Sequence, residues 1–382
     1  MRNSDIPLSL YVHWPWCVRK CPYCDFNSHA LPTVGNPSRR YVDALITDLK
    51  RSVPLAQGRE LISIFIGGGT PSLMAPPELA RFLETVFSLY RTSTDIEITL
   101  EANPGTVDVS HFESYRRIGI NRLSMGIQSF NDDLLKRLGR IHNSTQAREA
   151  IKIARESFEN FNLDVMFALP GQTLGELELE LQEAIAAQSN HLSFYQLTLE
   201  PNTVFAKHIP AGIPDADTVF QMQDLVARTL EEAGYEHYEI SGYAKAGFHC
   251  RHNLNYWQFG DYIACGAGAH SKVTLEDGRI LREVRYSQPE SFMAHAAKGN
   301  AVAHQRWVAK DEQAFEFMLN VLRLRKGAPL DFLQKRTDLT LDDIHDRISK
   351  AQSLGLMPAT LTRFVASDKG WDFLSDLQEL FL

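Results

Sequence analysis

The stretch "LISIFIGGGTP" runs from residue 61 to residue 71. Its first six residues are almost wholly apolar, and three glycines and a proline stop it. A short run that is apolar at nearly every position reads as a strand buried on both faces, as in a parallel α/β sheet. The same pattern recurs in "LSLYVHW" (8–14), "DIEITLEAN" (95–103), "RLSMGIQSF" (122–130), "LDVMFALPG" (163–171) and "HLSFYQLTLEP" (191–201). Helical periods separate these runs, over 38–53, 76–90, 109–119, 131–139, 144–157 and 173–187. In the first, Tyr41, Ala44, Leu45 and Leu49 share one face. Ser144 and Thr173 have the chemistry of helix N-caps. Six strands alternating with helices predict right-handed βαβ units curled into an open, partial (β/α)6 barrel.

The remaining composition narrows the class. The 382 residues carry a formal net charge of -8 and are 44% hydrophobic and 23% charged, which fits a globular protein and disfavours wholesale nucleic-acid binding. No apolar run is long enough to span a bilayer, and "MRNSDIPLSLYVHW" lacks the apolar core of a signal peptide. Five cysteines without an export signal predict a reduced, cytoplasmic protein.

Three of those cysteines, Cys17, Cys21 and Cys24, fall within "CVRKCPYC" (17–24), in the loop after the first strand. In parallel α/β folds the loops after the strands' C-terminal ends carry the chemistry. The second strand ends in "GGGTP", the third in Glu101, the fourth in Gln128, and the fifth contains Asp164, so these groups converge on one barrel mouth. Three thiolates suit a [4Fe–4S] cluster with one iron left open. A zinc site completed by His13 or His29 uses the same residues. Taken singly, the glycines make a turn, Glu101 a barrel-end ion pair, and Gln128 and Arg140 a polar cap and a helix end.

Cx3CxxC after the first strand, with Tyr23 before the last cysteine and "GGGTP" after the second strand, resembles the radical S-adenosylmethionine (SAM) superfamily. That resemblance implies a [4Fe–4S] cluster on Cys17, Cys21 and Cys24. It also implies SAM chelating the open iron through its amino and carboxylate groups, and cleavage of the sulfonium to a 5′-deoxyadenosyl radical. Main-chain groups of Gly68, Gly69 and Thr70 are expected to meet the SAM amino group. "YVHWPWCVRKCPYCDF", "GGGTPS", "LEANP", "GIQSFN" and "ALPGQT" are similar to oxygen-independent coproporphyrinogen III oxidase along almost the whole chain. Carried over by motif, Tyr11, Gly68 and Glu101 would contact the cluster-bound SAM. Tyr23, Gly69, Thr70, Gln128, Arg140 and Asp164 would match the positions around a second SAM.

Two departures set the chain apart from that oxidase. Phe26 stands where the oxidase has a fourth cysteine, and the oxidase has a longer arm before its cysteine motif. "HNLNYW" (252–257) instead fits a signature of the HemW subgroup, whose members act as haem chaperones. Here His252 would be an axial haem ligand. Asn253 would orient its ring through the free nitrogen, and Tyr256 and Trp257 would cover the porphyrin face. His249 and Cys250 are alternative ligands, and the segment is expected to sit apart from the cysteine loop. The partners implied are haem and acceptor haemoproteins, with respiratory enzymes at the membrane among the candidates, and a second copy of the chain as a homodimer.

The expected organisation is a radical SAM partial barrel over 1–210, an extension carrying HNLNYW over 211–299, and a helical, winged-helix-like C-terminal domain over 300–382. The last region has a balance of -1, so it lacks the basic surface of a DNA-binding module and reads as a packing or partner module. Three functions compete: a haem chaperone on a radical SAM scaffold without catalytic residues of its own, an active radical SAM enzyme of the oxidase type, and a metal-bearing regulator using its winged helix.

Overall fold

The computed structural model describes residues 5–32, 35–106 and 109–382; the first four residues of the N-terminal segment lie outside it. The predicted strands form where the apolar runs place them. They are β1 (Leu8–Trp14), β4 (Leu61–Gly68), β5 (Thr92–Ala102), β6 (Arg122–Gln128), β7 (Asn160–Phe167) and β8 (His191–Gln196), with the two-residue strands β2 (Trp16–Cys17) and β3 (His29–Ala30) pairing within the cysteine loop. All five junctions from β1 to β8 across the main sheet are parallel. The crossovers are α1 (Ser38–Ala56), α2 (Pro76–Leu89), α3 (Val109–Ile118), the pair α4 (Asp132–Arg137) and α5 (Ser144–Ser157), and α6 (Leu174–Ala186). Thr173 caps α6 in a capping box with Glu176, as its position predicts. Ser144 does not cap α5: Asn143 does, in a box with Gln146, so Ser144 is the first helical residue.

The period-2 alternation of the strands divides two environments. Leu10, Val12, Ile64, Ile66, Ile98, Leu100, Leu123 and Leu163 face the helices and are almost fully buried. The alternate positions are largely polar: Ser9, Ser63, Glu97, Glu101, Arg122, Ser124, Asn162 and Asp164. A parallel barrel filled only with Val, Ile and Leu would be a closed core. This one has a polar interior, and that interior holds the site.

The chain beyond β8 extends this sheet at both ends. After the short α7 (Val204–Lys207) and α8 (Ala216–Glu232), the strands β9 (Glu236–His237) and β10 (Gly242–Ala244) add to β8 antiparallel. Then α9 (Arg251–Trp257) leads to β11 (Asp261–Cys265), which pairs parallel with β1 on the opposite side. The strands β12 (His270–Thr274), β13 (Ile280–Arg285) and β14 (Val302–Trp307) continue that edge, giving a twelve-stranded sheet. Asp261 pins the junction: it is fully buried, lies 2.8 Å from Arg59 and 2.9 Å from Lys272, and accepts from the Thr274 backbone. Those two cations hold its carboxyl below the usual value despite burial.

The C-terminal region packs its own apolar cluster, including Phe317, Leu333, Ile344 and Phe364, against Phe259 and Ile280 of the sheet region. It contains α10 (Lys310–Val321), α11 (Asp331–Arg336) and α12 (Leu341–Ser353), with a small strand pair Ala328–Pro329 and Arg363–Phe364. Among the described residues no helix is long and apolar enough to cross a membrane.

Candidate functional site

Two adjoining cavities occupy the barrel, of about 690 and 380 Å³, and they share Tyr11, Phe26, Gly68, Glu101 and Tyr256 in their walls. All three cysteines of the β1 loop line the larger one, together with Tyr23, Gly69, Thr70, Gln128, Arg140 and Asp164. Those residues come from five separate stretches of chain, and the strand ends bring them together. The smaller cavity continues between Tyr11, His13 and the turn Gly268–His270. Thus Tyr11, Gly68 and Glu101 stand where the two spaces meet, while the remaining six candidate SAM residues line only the larger.

The cysteine loop is seated by glycines. A Cβ on Gly68, whose φ is +117°, would lie 2.6 Å from the His13 ring, and one on Gly69 would lie 2.5 Å from the Trp16 carbonyl oxygen. The β4 end therefore packs directly under the segment that leads into the cysteines. Its amides are also committed. The Gly68 N–H donates to Glu101, Gly69 to the Trp14 carbonyl and Thr70 to the Trp16 carbonyl. The N–H groups of this segment are therefore spoken for. An ammonium needs acceptors, so the carbonyl oxygens are what this segment can present to one.

Cys17, Cys21 and Cys24 are half-buried free thiols. Burial pushes the Cys17 and Cys24 thiols up, so loading a metal there would also release protons. The Arg140 guanidinium lies 3.5 Å from Cys21 Sγ and 2.8 Å from the Gly126 carbonyl oxygen. It is an ordered cation beside the loop rather than a solvated helix end. His13 cannot complete a zinc site with them as it stands: Nδ1 bonds to the Tyr11 hydroxyl and Nε2 to the Asn27 carbonyl, both at 2.9 Å. His29 Nε2 likewise bonds to Asn27 Oδ1 at 3.2 Å, and three thiols with both these histidines otherwise engaged fit a cluster that keeps one iron for a ligand.

Gln128 sits at φ +68°, at the irregularity that ends the β6–β7 pairing, and its side-chain oxygen accepts from the Tyr195 hydroxyl at 2.6 Å. Asp164 accepts from Ser124 and Asn162. Burial, with Asp164 nearby, pushes the Glu101 carboxyl up to about 8. Its unfolded value is near 4.5, so the folded, ligand-free protein favours the protonated form. That stabilisation is whole at pH 4 and is lost as the pH rises towards 8, by up to about 1.4 kcal/mol per pH unit. Between pH 5 and 8 the wild type is expected to lose thermal stability relative to Glu101→Gln. Parallel melting curves for the two proteins would refute this attribution.

The "HNLNYW" segment is not apart from the cysteine loop. It forms α9, and His252, Asn253, Tyr256 and Trp257 line the same 690 Å³ cavity. The Glu97 carboxylate anchors its start, accepting from the Arg251 and His252 backbone N–H groups at 3.2 Å each. His252 is 1% exposed and packs on Phe65 and Tyr256. Its orienting partner is Ser63, not Asn253: Nδ1 lies 3.0 Å from Ser63 Oγ, which itself donates to Ser9 Oγ at 2.8 Å. Asn255 also donates to Ser9. With the Ser63 proton directed at Ser9, His252 must donate through Nδ1–H, leaving Nε2 as a bare lone pair. Nε2 is buried and has no partner among the described residues. Burial and Arg122 push the imidazole down to about 3, so it is neutral near pH 7. Sequence reading missed Ser9, Ser63 and Asn255, because serines in strands carry no signal until pairing brings them together.

The alternatives to His252 are less available. Burial pushes the Cys250 thiol up to about 12, and it is fully enclosed. His249 Nε2 also lacks a hydrogen-bond partner among the described residues, but the Glu236 carboxylate lies 3.2 Å away and His249 lines neither cavity.

A parallel barrel with three cysteines after its first strand and a glycine-lined mouth is the architecture of the radical SAM superfamily, whose sequence model matches residues 11–184; that of the HemN C-terminal domain matches residues 308–373. The chain belongs to the HemW family. It is 46% identical to the heme chaperone HemW of Escherichia coli and 44% identical to that of Haemophilus influenzae, each over 98% of both chains. The crystallised coproporphyrinogen III oxidase HemN of Escherichia coli, described as a radical SAM enzyme, shares the fold over all of this chain and 91% of its own, with a TM-score of 0.83 at 20% identity.

Proposed function

We propose that this protein is a haem chaperone, binding haem and handing it to acceptor haemoproteins, on a scaffold that also holds a [4Fe–4S] cluster and SAM. The observation that carries the haem reading is the His252 imidazole: neutral, bonded to Ser63 through Nδ1, with a buried, unpartnered Nε2, on a residue that lines the cavity. That is the state a haem-iron ligand needs. Tyr256 packs edge-on against its ring, and Trp257 lines the same wall under the Arg323 guanidinium. Asn253 is a cavity-wall residue in this reading and Ser63 the one that orients the ring.

Cys17, Cys21 and Cys24 would hold the cluster, which when bound supplies a one-electron source and an iron without a protein ligand. Tyr11, Gly68 and Glu101, at the junction of the two cavities, would meet the SAM bound there. Glu101 would accept from its ribose or ammonium donors. Tyr23, Gly69, Thr70, Gln128, Arg140 and Asp164 would line the space for a second ligand. Five free cysteines suit a reducing cytoplasm.

Two measurements test this reading. An absorption spectrum of anaerobically reconstituted protein, before and after adding haem, should show both a cluster and a protein-bound Soret band. Incubation with coproporphyrinogen III, SAM and a reductant should give no protoporphyrinogen IX. Phe26, 58% exposed, stands where the oxidase has a fourth cysteine. Repeated turnover in that assay would overturn the chaperone reading in favour of the enzyme.

A further inference from the structure

The larger cavity is lined by a buried cation that no side chain among the described residues neutralises by contact. Arg122 begins β6, is 2% exposed and lines the cavity. Its Nε has no hydrogen-bond partner, and among the described residues its guanidinium makes no ion pair or hydrogen bond. The two carboxylates that act on it electrostatically are turned to other donors. Glu97 takes the α9 backbone N–H groups and the Cys250 thiol. Asp164 takes the Ser124 hydroxyl and the Asn162 amide. Both contribute a favourable field to Arg122 without touching it.

Arginine is rarely left in this state. A guanidinium keeps its charge when buried, so a buried one is normally forked onto a carboxylate or phosphate. Here it lines the cavity instead, as do Trp257 and His252, which also hold buried nitrogens without a partner, Nε1 and Nε2. The wall combines one fixed positive charge with an indole N–H donor, which suits an acidic ligand tail.

We infer that Arg122 forms a carboxylate subsite inside the barrel, pairing in two-pronged fashion with an acidic tail of the ligand that fills the cavity. The inference rests on the proposed function insofar as it takes that ligand to be haem, through a propionate, or SAM, through its carboxylate. The chemistry is shared, and the test separates the sources. Cluster-loaded wild type, Arg122→Gln and Arg122→Lys are titrated with ferric haem and its dimethyl ester, and with SAM and decarboxylated SAM.

The wild type should prefer the acidic member of one pair by about tenfold or more. Arg122→Gln should cut that preference by about tenfold, and Arg122→Lys, which keeps charge but not the fork, should retain part of it. Loss confined to haem assigns the propionate, and loss confined to SAM assigns its carboxylate. A purely structural role would weaken acid and blocked forms alike and leave the preference intact, which overturns the subsite. Absence of any preference in the wild type overturns it without recourse to a variant that fails to fold. A wild type that takes up neither haem nor SAM overturns the proposed function as well.

Discussion

Reconstituted anaerobically, the protein with Cys17, Cys21 and Cys24 all changed to alanine is expected to contain no bound iron or sulfide, while the wild type carries one cluster. The effect should be total because the chain has no reserve. Its other two cysteines, Cys250 and Cys265, are completely buried, and burial holds both thiols far above their ordinary value. A cluster needs thiolates it can reach. The fold should survive the triple change. The three thiols are only half-buried, and the contact recorded between Cys24 and Ser28 is long, at 3.8 Å. Comparable melting temperatures with opposite iron content is the expected result. Unchanged cluster content in the variant would move the site elsewhere in the chain.

The barrel was legible because its strands are buried on both sides. Runs such as Leu61–Ile66 can be nothing but interior strand when a helical period follows each. The edge strands were not. Glu236–His237 and Gly242–Ala244 are two and three residues long, too short for a period. Asp261–Cys265 pairs with a strand some 250 residues earlier, a partnership that no local pattern announces. The Asn143 cap was hidden for a related reason. Asn and Ser in sequence are equally good caps, and the choice falls to whichever side chain can reach the amide of the third helical residue.

The site divides in the same way. Cysteine spacing and the glycine run are local and were readable; that they meet the HNLNYW helix in one cavity is tertiary and was not. Glu97 shows why. It lies in a strand whose apolar face dominates the pattern, yet its carboxylate holds the start of α9 and so sets where His252 stands. Arg122 is the same case with the opposite charge: an arginine at a strand's first position reads as solvated, and the structure buries it.

Changing His252 to alanine should weaken haem binding by about tenfold or more and shift the Soret band, with cluster content unchanged. Distance does not protect the cluster, since both groups line one cavity. What protects it is connectivity: the His252 ring bonds to Ser63 and packs on Phe65 and Tyr256, and among the described residues no hydrogen bond or ring contact joins it to the cysteine loop. The imidazole is neutral at any pH above about 3, so haem affinity between pH 5 and 9 should show no titration from this residue. Ser63→Ala supplies the sharper comparison. It leaves the imidazole in place but removes the acceptor that fixes Nδ1–H, so the ring can place its proton on Nε2, the nitrogen the iron needs bare. Its haem affinity should fall between those of the wild type and His252→Ala, with the Soret position of the wild type, because the ligand atom is unchanged once bound. If His252→Ala takes up haem with wild-type affinity and spectrum, the ligand is another group, and Ser63 then has no bearing on haem at all.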